Sequence, residues 1–223
     1  MEFRGKTIRL VIFDLDGTLL DSTGIWEEID KKFFARRGKE VPLGYGEHIA
    51  HIGLAAAASF TRSTYCPSEK EEDIIAEWKG YSEQSYANEL LLKDGANELL
   101  SFLYSNNVTM ALATANSPSL YKPTLKRLEI EKYFSFIADA EMCPEGKKNA
   151  DMYLLSSSRL GFSPSETLVF EDSLRPIKEA RNAGYSVIGV YDKHTTKSVE
   201  EAKASSDRFA FSLQEALSFL KKD

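Results

Sequence analysis

Four carboxylates and a hydroxyl stand where apolar runs of the chain stop. The run Arg9-Leu10-Val11-Ile12-Phe13 ends in Asp14-Leu15-Asp16-Gly17-Thr18, Val108 to Ala113 ends in Thr114-Ala115-Asn116, and Thr167 to Phe170 ends in Glu171-Asp172-Ser173. Each run reads as a strand buried on both faces, and in a doubly wound sheet ligands bind at the carboxyl ends of strands. Asp14, Asp16, Glu171 and Asp172 would then share a crevice with Thr114. Like charges that close repel and raise one another's pKa values unless a cation sits among them. Mg2+ suits the place: it takes oxygen ligands and commonly combines one or two carboxylates with waters and a substrate phosphate oxygen. A phosphorylated substrate follows from that preference.

The elements that must position these residues are legible from periodicity. Further strand-like runs lie at Phe134 to Ala138 and Ser186 to Val190, and helical patterns of ten or more residues separate most of the runs, which implies a parallel sheet. Asp94 precedes a stripe of Ala96, Leu99, Leu100 and Leu103, Gly161 and Gly184 sit where helix C-caps belong, and Ser212 with Glu215 has capping-box spacing ahead of Leu213, Ala216, Leu217 and Leu220. Between residues 19 and 89 no strand-like run occurs. Ile25, Ile29 and Phe33 repeat at helical spacing, Ala55 to Ala58 reads as a helix interior, and Ser68 with Glu71 reads as a capping box before Ile74, Ile75, Trp78 and Tyr81. The expected fold is α/β: a doubly wound, Rossmann-like parallel sheet from residues 1–18 and 90–223, with an all-helical domain at 19–89 inserted after the first strand. Trp26 and Trp78 are expected in the core, and the basic run Lys31, Lys32, Arg36, Arg37 and Lys39 on a solvated helix face. His48, His51 and His194 show no ligand spacing and are taken as surface or cap residues.

Composition narrows the function classes. The chain has 223 residues and a formal charge of −6, which speaks against a nucleic-acid groove lined by Lys and Arg. Cys66 and Cys143 are far apart and fit neither a disulfide framework nor a zinc site. No signal peptide or membrane span is read, so a reducing cytoplasm is the expected location. The sequence leaves the oligomeric state open; a monomer is compatible with it.

The order of these motifs resembles the haloacid dehalogenase superfamily of phosphohydrolases. Asp14 to Thr18 resembles its first motif, Thr114 its second, and Glu171-Asp172-Ser173 its fourth. The motif-three lysine falls in Gly146-Lys147-Lys148-Asn149-Ala150-Asp151, where Lys148 replaces the usual proline, so both Lys147 and Lys148 stand as candidates. Taken alone, Asp-x-Asp-Gly is also a common turn, and it is the joint order that carries the likeness. The resemblance implies that Asp14 attacks phosphorus while Asp16 protonates the leaving oxygen and then activates water, roles within the reach of carboxylates. It further implies Mg2+ held by the Asp14 side chain, the Asp16 carbonyl and Asp172, with Glu171 acting through water. Thr114, Ala115, Asn116 and Lys147 would meet the transferred phosphoryl group.

The 19–89 segment resembles the small α-helical cap of the superfamily's first cap class, a lid that excludes water. Within that class the chain is similar to phosphoglycolate-type phosphatases and to β-phosphoglucomutase. The mutase has a histidine ten residues after its second motif-one Asp, where this chain has Trp26. The dehalogenases usually lack the second acid that Asp16 supplies. The expectation is thus a phosphatase of a small phosphomonoester, a sugar phosphate or phosphorylated acid. A phosphomutase is the alternative, and a phosphoacceptor signalling module is the alternative of another class.

Overall fold

The computed structural model describes residues 1–49 and 54–222, so His51 lies outside the described residues, as does the side chain of Lys148. The strands are β1 (Glu2–Phe3), β2 (Lys6–Thr7), β3 (Leu10–Asp14), β4 (Thr109–Ala113), β5 (Phe136–Ala138), β6 (Thr167–Glu171), β7 (Ser186–Val190) and β8 (Arg208–Ala210). The helices are α1 (Ile25–Ala35), α2 (Tyr45–Ile49), α3 (Leu54–Tyr65), α4 (Glu71–Asn88), α5 (Ala96–Ser105), α6 (Pro118–Arg127), α7 (Asp151–Leu160), α8 (Leu174–Asn182), α9 (Val199–Ser205) and α10 (Leu213–Lys222). They form two compact units, Met1–Thr23 with Leu90–Asp223, and Gly24–Glu89.

The first unit is an α/β fold around a six-stranded parallel sheet of order β5-β4-β3-β6-β7-β8. Every residue of β3, β6 and β7 is buried, as a strand covered on both faces requires, and this is why those strands read as unbroken apolar runs. The chain winds outward from β3 in both directions, so the crevice beside the carboxyl end of β3 is the topological switch point where doubly wound sheets bind ligands. The helix signals locate real ends here. Gly161 closes α7 with φ +76°, and Ser212 Oγ accepts from Glu215 N at 3.2 Å while Glu215 Oε2 accepts from Phe211 N at 2.7 Å.

Two stretches of the first unit escaped the periodicity reading. The β1–β2 pair is an antiparallel hairpin turned through Arg4 and Gly5, both at positive φ, and β8 is a three-residue edge strand. Lys93 N donates to Leu19 O at 2.8 Å and Asp21 N to Leu91 O at 3.0 Å, so the chain leaving β3 and the chain entering α5 run side by side.

All described elements of the second unit are helices. Ile25, Ile29, Phe33 and Phe34 of α1 are buried, and Phe33 meets Trp78 of α4 with ring centroids 5.5 Å apart. Three expectations need correction. Trp26 is 50% exposed, because α1 turns it away from the Ile25–Ile29–Phe33 stripe. Glu71 does not cap α4; Lys70 occupies the N-cap and Glu71 Oε1 accepts from Arg62 Nε at 3.1 Å. Arg37 is not on a solvated face: its guanidinium lies 3.5 Å from the centroid of the Phe33 ring and binds Glu69 and Glu77.

Candidate active site

Asp14 is the last residue of β3, Thr114 follows β4, and Glu171 ends β6 with Asp172 directly after it, so three neighbouring strands deliver these side chains to one end of the sheet. Carboxylate oxygens of Asp14, Glu171 and Asp172 lie within 4.8 Å of one another, and all three residues are buried. Lys147 Nζ donates to Glu171 Oε2 at 2.7 Å and also to Asp14 Oδ1. The lysine comes from a segment whose backbone is held left-handed: Gly146, Asn149 and Ala150 all have positive φ, and for the buried Ala150 that conformation costs about 1–2 kcal/mol.

Asp16 is held by its own partners. Its Oδ1 accepts from Ser22 Oγ at 2.7 Å and its Oδ2 from Asn116 Nδ2 at 2.7 Å, while its charge still adds to the upward push on Asp14. Thr114 is buried; its Oγ1 accepts from Asn116 N at 3.2 Å. Ala115 is exposed, while Asn116 is tied to Asp16. Gly17 has φ +81°, and a Cβ added there would lie 2.9 Å from Asp172 Cγ, so the backbone after Asp16 can approach Asp172 only as glycine.

Several partners were not among the sequence candidates. Tyr153 on α7 donates its hydroxyl to Glu171 Oε2 at 2.7 Å. Thr195 donates to Asp172 Oδ2, and Asp192, just beyond β7, accepts from Thr23 Oγ1 at 2.8 Å and from Lys93 Nζ at 3.3 Å. The strand-tip rule applied to the Ser186–Val190 run would have found Asp192; nothing local marks Tyr153 or Thr195.

The electrostatics are those of a site short of positive charge. Burial, reinforced by Glu171, pushes the Asp14 carboxyl up to about 7 against the opposing pull of Lys147. Asp172 is raised well above the usual carboxylate range by burial and then by Glu171 and Asp14. Burial works against the Lys147 charge, but Asp14 and Glu171 overcome it and raise the ammonium's pKa. Asp192 goes the other way: burial favours its acid, yet the His194 amide, Thr23 and Lys93 outweigh that and hold it low.

A divalent cation fits the triad. Three carboxylates against one ammonium leave a formal charge of −2, which a dication would cancel. Among the described residues, Asp14 Oδ2 is a buried acceptor with no hydrogen-bond partner, the kind of orphan that calls for an ion or water. The all-oxygen donor set is what Mg2+ prefers.

The chain is similar to known proteins over most of its length. The family model of the haloacid dehalogenase-like hydrolases matches residues 11–190. A phosphorylated carbohydrates phosphatase of Thermotoga maritima is 28% identical over 95% of this chain and 98% of its own length. A phosphoglycolate phosphatase of Salmonella typhi is 30% identical over 83% of this chain and 82% of its own. Among solved structures, one from Thermotoga maritima described as a candidate β-phosphoglucomutase superposes with a TM-score of 0.86 at 24% identity, covering 96% of this chain and 99% of the other. That last likeness is one of fold.

Proposed function

This chain belongs to the haloacid dehalogenase-like hydrolase family, and from that premise we propose that it is a Mg2+-dependent phosphatase of small phosphomonoesters, working through an aspartyl-phosphate on Asp14. The observation that carries the reading is Asp14 itself: it ends the central strand, one oxygen is held by Lys147, and the other has no hydrogen-bond partner among the described residues beside Glu171 and Asp172. Asp14, Asp172 and the Asp16 carbonyl would hold Mg2+, with Glu171 acting through water, and the ion would supply the charge neutralisation that lets a phosphate approach this acidic crevice.

In the proposed sequence an Asp14 oxygen forms a bond to phosphorus as the ester P–O bond breaks, and the leaving oxygen takes a proton from the Asp16 carboxyl. A water oxygen then attacks phosphorus, its proton passes to the Asp16 carboxylate, and the Asp14–phosphorus bond breaks to release inorganic phosphate. Ser22 and Asn116 aim Asp16 for both transfers. Lys147 keeps Asp14 oriented and offsets charge on the transferred oxygens. The Thr114 hydroxyl, whose oxygen accepts the Asn116 backbone N–H, would donate its proton to a phosphate oxygen.

Sugar phosphates or short phosphorylated acids are the proposed substrates, supported by the two related phosphatases. The choice among them is assigned to the helical unit Gly24–Glu89 acting as a cap. Trp26, where the mutase has histidine, favours hydrolysis over phosphoryl return. The cytoplasm is the proposed site of action, a setting that suits the free thiols of Cys66 and Cys143. Among the described residues no helix is long and apolar enough to cross a membrane.

The test is phosphate release from a panel of sugar phosphates and phosphorylated acids, with and without Mg2+. Turnover should need the metal and vanish in Asp14→Asn. Release by that variant at the wild-type rate would overturn the mechanism.

A further inference from the structure

Lys93 lies three residues before the start of α5 and outside every motif above, yet all three of its ammonium protons are committed around the strand tips. Lys93 Nζ donates to Gly17 O at 2.7 Å, to Tyr191 O at 2.7 Å and to Asp192 Oδ2 at 3.3 Å. The Lys93 side chain is 17% exposed and that of Asp192 3%. Asp192 in turn organises the turn after β7: its Oδ1 accepts from His194 N at 2.9 Å and Thr195 N at 3.3 Å, and its own N–H donates to Thr196 Oγ1 at 3.0 Å. Thr195, the residue this turn presents, donates its hydroxyl to Asp172 Oδ2.

Asp172 is thereby held from two sides. Thr195 donates to Oδ2, against which the Gly17 backbone packs so closely that no side chain fits between them, and Thr18 Oγ1 donates to Oδ1 at 3.5 Å. Lys93 binds both restraints at once, since it grips the Gly17 carbonyl with one proton and the Asp192 carboxylate with another. We propose that Lys93, Asp192 and Thr195 are positioning residues that lock the Asp172 carboxylate in the orientation a divalent cation needs. The proposal rests on the metal reading given above. Groups that orient a metal ligand from behind it typically change affinity 10–100-fold when removed, because a carboxylate free to rotate loses its preorganisation.

The lock predicts a graded set of metal affinities, measured on the full chain by electron paramagnetic resonance titration with Mn2+ in place of Mg2+. Thr195→Val should raise the Mn2+ dissociation constant about tenfold, and Thr195→Ser, which keeps the hydroxyl, should stay within about twofold of wild type. Asp192→Asn and Lys93→Met should weaken binding in the same direction. The double variant Thr195→Val/Asp192→Asn should bind no more weakly than Thr195→Val alone, since both act through one contact. In turnover, Thr195→Val should need more Mg2+ to reach half its maximal rate while its kcat at saturating metal stays near wild type. Should Lys93→Met fail to fold, Asp192→Asn carries the same test. Wild-type Mn2+ affinity in Thr195→Val overturns the lock and leaves the metal reading intact. Absence of Mn2+ binding by the wild type overturns both.

Discussion

The Arg37 cluster of the helical unit and the Asp14 cluster of the sheet unit are built from the same materials, carboxylates around a partly or fully buried basic group, and they differ in charge balance. Arg37 spreads its guanidinium over Glu69 and Glu77, and Arg36 reaches Glu77 at 3.4 Å, so two cations meet two anions. Hydrogen bonds from Arg37 hold the Glu69 carboxyl low, and at Glu77 the upward push of burial is outweighed by hydrogen bonds from Arg37 and Tyr81 together with the charges of Arg37 and Arg36. At the strand tips one lysine faces three carboxylates, and Asp14 and Asp172 are pushed up instead. A buried ionic cluster that closes its own charge serves the fold, whereas one left with a surplus is waiting for something charged to complete it.

The sharpest way to break this contrast is Asp14→Asn. Phosphatase activity should fall on the order of 10⁴-fold or more, as for loss of a nucleophile. The melting temperature of the metal-free protein should rise, because one of three mutually repelling carboxylates is gone. A lower melting temperature would show that the surplus stabilises the fold and would end the comparison. The mirror experiment is Arg37→Met, which strands Glu69 and leaves Glu77 to Arg36 and Tyr81. It should cost about 3 kcal/mol in chemical unfolding, the penalty of breaking a largely buried pair.

Gly17→Ala sharpens the contrast from the other side. The added Cβ would press on Asp172 and on Thr23 Cγ2, each at 2.9 Å, in a backbone conformation that alanine disfavours. kcat/KM should drop roughly 10²-fold, the scale of an ångström's misplacement, with a smaller loss of stability.

The smallest effect concerns Asp30, a carboxyl of the helical unit that behaves like those at the strand tips. Burial and then Glu27 push it up to about 7. Its folded pKa lies above its unfolded one, so the folded state binds the extra proton and stability falls as pH rises from about 4 to about 7. Below that window the proton is present in both states and no penalty remains. Asp30→Asn should remove this slope and stabilise the protein at neutral pH by on the order of 1–2 kcal/mol, allowing for solvent screening. Unfolding curves of both proteins across that range check it.

How much of this could be read in advance depended on whether the signal was local. β3, β6 and β7 announce themselves because a parallel strand buried on both faces must be apolar throughout. β8 does not: it has three residues on an edge and begins with an exposed Arg208. Asp14, Thr114, Glu171 and Asp172 were legible because strand tips are where such sheets place chemistry. Lys147 touches both Asp14 and Glu171, a pairing that no local signal at residues 146–151 specifies. Tyr153, Thr195 and Lys93 stayed hidden because each is an ordinary polar residue whose partner is set by tertiary folding alone. Trp26 and Arg37 were misjudged for a related reason: residue type suggested their surroundings, and helix phase decided them.

The backbone clasp between residues 19–21 and 91–93 has an evolutionary consequence. The two ends of the helical excursion are fastened to each other within the sheet unit, by Lys93 N to Leu19 O and Asp21 N to Leu91 O. The entropy of closing a loop rises only slowly with its length, so an excursion anchored this way can lengthen, shorten or be exchanged at little cost to the sheet. Descendants of such a chain can rewrite the excursion while the strand tips keep their residues.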